Sequence, residues 1–248
     1  MKPCIGMFIL NIKILFSEKV VFVWSLILPV VIFIVYTFRF SSDSFNISEM
    51  VDLFSYFWAF IIISSAFNGV GIHLSKLRNF GLLKTYTLIA GGKAPIISGV
   101  ILTQLVLSAI NIVIFTIFAG VIYQESILGL TLVGLLILLF TFIPIALISF
   151  IFTYLPAKDT TLSTLLNFSL YFIFFFSFVE GILVVDMINY VNPFVFVMNI
   201  THIILYALQI SSTVEMFDYV NLFFILLISL FGFYCYKKLN LISEEYRS

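Results

Sequence analysis

Side chains able to do covalent or metal chemistry are sparse in this chain and badly spaced for it. The two histidines, His73 and His202, lie far apart in the sequence, and no H-E-x-x-H zinc pattern occurs. Gly91-Gly92-Lys93-Ala94 superficially resembles a phosphate-binding loop. That loop needs a first glycine where Thr87 stands, and a Ser or Thr on the magnesium ion where Ala94 stands. The chain is therefore not expected to bind ATP by itself. Cys4 and Cys235 lack metal-site spacing and both map to the reducing side of the membrane, so no disulfide is expected, and Cys4 is read as an incidental thiol. No catalytic residue, metal ligand or cofactor is assigned. What remains is neutral polar chemistry inside apolar stretches: Asn68, Gln104, Asn111, Asn167 and Tyr171. Such groups can form helix-packing hydrogen bonds or line a polar path.

The elements that position them are apolar helices. The chain has 248 residues, of which 62% are hydrophobic and 10% charged, with 31 Phe. Soluble domains carry about 25% charged residues, so this composition belongs in a bilayer. Net charge is zero and gives no reason to invoke nucleic acid. A spanning helix needs roughly 20 apolar residues. Six stretches are read as spans: 20–38, 53–72, 95–122, 127–154, 162–178 and 219–236. Residues 1–19 read as an interfacial helix, with Ile5, Phe8, Ile9, Ile12, Leu15 and Phe16 on one face, and not as a cleavable leader. Pro29 and Pro144 are expected to kink their helices. Ser65 and Gly69 have the small-xxx-small spacing of close helix contacts, within the chain or between copies. Residues 179–218 contain no Lys or Arg and read as an outer re-entrant segment around Asn192-Pro193. A competing reading makes 194–210 a true span.

Charge sets the orientation. Lys2, Lys13, Lys19, Lys76, Arg78, Lys84, Lys93, Lys158, Lys237, Lys238 and Arg247 fall on one side of the six spans, against Arg39 alone on the other. Lys and Arg in short loops are retained in the cytoplasm during insertion. Both termini and the basic loop 73–94 are therefore expected to be cytoplasmic, in a bacterial plasma membrane. The middles of the spans carry no Asp, Glu, Lys, Arg or His. Ion-coupled carriers use such groups, which argues against an independent secondary transporter.

This order of elements resembles the ABC-2 type transporter permeases over nearly the whole chain. The most specific stretch is Lys76-Leu77-Arg78-Asn79-Phe80-Gly81-Leu82-Leu83-Lys84, similar to the family's Arg-x-x-Gly-x-Leu-Lys/Arg segment. Asn192-Pro193-Phe194 resembles its Pro-centred stretch before the last span. Family members often carry acids around the loop arginine, whereas here Asn79 and Phe80 follow it. The resemblance implies an all-α membrane domain, paired with a second permease copy or paralogue and powered by a separate ABC ATP-binding subunit. It assigns Lys76, Arg78 and Lys84 to docking on that ATPase, and Gly81 to a turn or close approach. The aromatic interior without buried charge suits export of a hydrophobic or amphipathic cargo: a drug, a peptide antibiotic or bacteriocin, or a lipid-linked molecule. The alternatives are a non-transporting scaffold or sensor subunit and a membrane-embedded enzyme.

Overall fold

The computed structural model describes residues 2–17, 27, 29–35, 37, 47–123, 126–155, 159–177, 179, 183–208 and 216–240. Most of the expected first span, Glu18, Lys19, Arg39, Asp43, Glu125, Pro156, Lys158, Glu180, Glu215 and the tail with Glu244, Glu245 and Arg247 lie outside the described residues. The elements are α1 (Lys2–Ser17), α2 (29–35), α3 (Ile47–Ser64), a π-helical segment (Ser65–Ile72), α4 (His73–Asn79), α5 (Leu82–Ala90), α6 (Lys93–Tyr123) and α7 (Ile127–Ser149). A 3-10 turn (Phe150–Tyr154), α8 (Asp159–Phe176), α9 (Leu183–Asn189), α10 (Pro193–Ala207) and α11 (Met216–Lys238) complete the order. Among the described residues there is no strand.

Among the described residues, four helical rods are long and apolar enough to cross a membrane: Leu53–Asn79, Lys93–Tyr123, Ile127–Tyr154 and Tyr219–Lys238. Helices α9 and α10 meet at 71° and together pass the same test, as a broken span or a re-entrant loop. The apolar part of α8, Thr160–Phe176, is shorter than these. At 1.5 Å per residue the 31 residues of α6 reach about 46 Å, well beyond a hydrocarbon core of about 30 Å.

The rod Leu53–Asn79 is the spine. Of its most apolar stretch 72% is buried, against 28% for Tyr219–Lys238 at the periphery. Aromatic rings fill the space around the spine. Phe33 of α2 meets Phe54, Phe57 and Phe115 edge-on at 5.3–5.7 Å. Trp58 is fully buried, and its indole N–H donates to the Thr116 hydroxyl at 3.0 Å. Edge-to-face rings gain from their quadrupoles as well as from burial, which stabilises this cluster.

The spine does not end at Ile72, where its hydropathy falls, but runs on through the π-helical segment into α4. The remainder of the basic loop is also helical. Phe80 and Gly81 turn the chain, α5 follows, and Gly91-Gly92 lead into α6.

Candidate functional site

Gly81 stands at the turn between α4 and α5 with φ 71°, a left-handed conformation open to glycine and strained for other residues. It lets α5 fold back so that Leu83 is buried, with Tyr86, Thr87 and Ala90 half-buried on the same side. These positions follow the i, i+3, i+4, i+7 pattern of one helix face. The opposite face carries Lys84, Leu82, Leu88 and Ile89 in the open, beside exposed Phe80 and Lys76; Leu88 and Ile89 are 75% and 80% exposed. A helix that exposes large apolar side chains beside cations can seat a protein partner or a membrane surface.

The structure separates the cations that the sequence groups together. Lys76 and Lys84 are exposed. Arg78 turns inward: its guanidinium donates to the Thr153 carbonyl in the 3-10 turn after α7, and to Asn79 Oδ1 at 3.2–3.3 Å. Carbonyls at a helix C-terminus lack intrahelical donors, and a cation there is favourable. Arg78 therefore fastens the end of α4 to the 3-10 turn after α7. Lys93 does the same for α11, donating to the Tyr236 and Lys237 carbonyls at 3.0 and 2.7 Å. Arg78, Lys93, Lys237 and Lys238 thus gather around the ends of α4, α6, α7 and α11.

The five neutral polar groups fall on separate seams. Asn68 donates to Asn167 Oδ1 at 3.0 Å, joining the π-helical segment to α8. One turn away on α8, Tyr171 stacks on Phe60 of α3 at 5.9 Å. Gln104 lies on the other side of the spine, where its Oε1 accepts from the Ser65 hydroxyl at 3.2 Å and its amide packs against Gly69. The small pair Ser65 and Gly69 is thus used for packing within the chain. Asn111 is buried two turns further along α6. Asn68, Asn167 and Tyr171 form one seam; Gln104 and Asn111 belong to another.

A third polar cluster was not singled out by the sequence. Asn192 caps α10 by accepting from the Phe194 N–H at 2.9 Å, and donates to Asn189 Oδ1 at 3.0 Å and to the Ile173 carbonyl at 3.3 Å. Asn221 of α11 donates to the Asn189 and Tyr190 carbonyls at 2.9 and 3.0 Å and accepts from Asn199 at 3.3 Å. The bend between α9 and α10 is held by two buried amides, Asn192 from within and Asn221 from α11. Asn221→Leu is therefore expected to leave the carbonyls it satisfies unpaired and to lower stability by about 2 kcal/mol, read as a lower melting temperature of the detergent-solubilised protein. Asn192-Pro193 was read as the centre of the outer re-entrant segment, whereas the partners of Asn221 lie 22–32 residues away in sequence, with no local signature.

Among the described residues no group of three His, Cys, Asp or Glu side chains could hold a metal ion. The rods and seams define the class: an all-helical protein with apolar helices long enough for several membrane crossings. No protein-family model matches the chain, and comparison with curated proteins and with solved structures gave no match.

Proposed function

We propose that this protein is the permease subunit of an ATP-driven ABC exporter of the ABC-2 type, moving a hydrophobic or amphipathic cargo out of the cell. The observation that supports it best is the α4–α5 unit. A membrane rod continues into a short helix fastened by Arg78 and Leu83, whose free face carries Lys76, Lys84, Phe80, Leu88 and Ile89. A force applied to α5 reaches the spine through packed side chains and not through a slack loop. On this reading the ATP-binding subunit docks there, and its nucleotide-driven closure moves the spine against α6 and α8. Asn68, Asn167 and Tyr171 then offer hydrogen bonds to cargo along the α8 seam.

The same reading takes six spans. Residues 20–38 and α8 complete the four long rods, and α9–α10 is the outer re-entrant segment. Both termini and the α4–α5 unit face the cytoplasm of a bacterial cell, and a second copy or paralogue closes the path. Export of a peptide antibiotic, a drug or a lipid-linked molecule fits an interior rich in aromatic rings.

The partnership is tested by affinity purification in mild detergent. A stoichiometric ABC ATPase is the expected companion; its reproducible absence from an intact preparation would end the permease reading. Orientation is tested separately with Asp186→Cys in a background lacking Cys4 and Cys235. The half-exposed position 186 on α9 is expected to react with an impermeant thiol reagent added outside intact cells. Reaction only after lysis, with a denatured control for shielding, would invert the topology.

A further inference from the structure

Cys4 of α1, the start of α6, and residues of α7 and α11 enclose an open groove of about 460 Å³, within the range of sites that take small organic molecules. Pro95, Ile101, Leu147, Phe150, Phe233 and Tyr236 make its walls almost wholly apolar. Two ammonium groups mark its rim. Lys93 Nζ lies 5.4 Å from the centroid of the Tyr236 ring, and Lys237 Nζ lies 4.9 Å from that of Phe233. Both rings line the groove, so both charges stand within a ring's breadth of its wall.

Neither ammonium is matched by a carboxylate among the described residues. Lys93 gives two of its three N–H groups to backbone carbonyls and keeps one, fixed in direction by the other two. Lys238, over the Tyr234 ring at 4.7 Å, adds a third positive charge at the same end of α11. An apolar slot among membrane helices, ending at a cluster of lysines, matches one chemistry: a hydrocarbon chain attached to an anionic headgroup.

We infer that this groove is a binding site for an anionic phospholipid. One acyl chain lies between α1, α6 and α11, and the phosphate is held by Lys93 and Lys237. The site is distinct from the Asn68–Asn167–Tyr171 seam, and its occupancy does not depend on transport. A neutral lipid would fill the slot equally well but would leave the lysines unanswered. A second protein copy would bury the rim and exclude lipid.

The test uses the full chain in lipid nanodiscs containing phosphatidylglycerol or phosphatidylcholine that carries the same photoreactive acyl chain, with adducts mapped by mass spectrometry. Adducts are expected on 94–101 and 231–238, about thirtyfold more abundant with phosphatidylglycerol, in keeping with about 1 kcal/mol for each of the two lysines near an anionic lipid. Lys237→Gln, an exposed position that leaves the Lys93 contacts in place, should remove most of that preference. Ile101→Trp should fill the slot and lower labelling by both lipids. Equal labelling by the two lipids, a preference unchanged in Lys237→Gln, or adducts confined to other surfaces would each overturn the inference.

Discussion

Reversing the two free charges of the α4–α5 unit, Lys76→Glu with Lys84→Glu, is expected to reduce ATP-driven export at least about tenfold while the protein still inserts and melts as before. Both side chains are exposed and hold no part of the fold together, so stability has little reason to change. Opposed like charges across an interface cost several kcal/mol, and about 1.4 kcal/mol already weakens binding tenfold. Arg78 is expected to behave differently. Arg78→Gln loses the charged bond to the Thr153 carbonyl, and the melting temperature should fall together with export. The comparison separates docking from scaffolding within one loop. Unchanged export in the double Glu variant would remove Lys76 and Lys84 from any coupling role, and unchanged stability in Arg78→Gln would remove Arg78 from the scaffold.

The largest loss of stability is expected at Gly232 on α11. A Cβ built there overlaps the backbone carbonyl of Leu147 on α7. Backbone has no rotamer in which to retreat, so a larger residue must push α11 from α7. Membrane helices use small residues for such approaches because packing replaces the hydrophobic drive between them. Gly232→Val is expected to destabilise the protein by roughly 3 kcal/mol, the upper part of the range for overpacking, and to lower its melting temperature by about 10 °C for a chain of this size. Gly6→Ala on α1 is the control, since its new methyl would meet open space, and it should leave the melting temperature unchanged. A tolerant Gly232→Val would mean that α7 and α11 do not approach as closely as described.

The class of fold was legible because composition and charge act over whole segments. Twenty apolar residues leave a trace that survives the loss of any one of them, and the chain is helical with several membrane-length rods. The turn at Gly81 was expected through the family resemblance, and the structure gives it a φ of 71°, which glycine takes without strain. The π-helical segment was not. A shift of one hydrogen-bond register changes no residue's hydropathy, and it decides which of Ser65, Asn68 and Gly69 faces α6 or α8. Pairings such as Asn68 with Asn167 or Arg78 with Thr153 join residues that tertiary packing alone brings together. Sequence reading therefore grouped Arg78 with Lys76 and Lys84 by charge, whereas the structure divides them by direction. Gly232 carried no mark at all, because its reason lies on another helix.

On the proposed reading, the free face of α5 is where an ATP-binding subunit sits. The most direct measurement replaces Thr85, exposed beside Lys84, with a photocrosslinking amino acid in living cells, followed by irradiation and identification of the covalent product. A crosslink to an ABC ATPase is expected, and it should disappear when Lys76→Glu and Lys84→Glu are added. A crosslink to lipid alone, or to a protein without nucleotide-binding motifs, would contradict it.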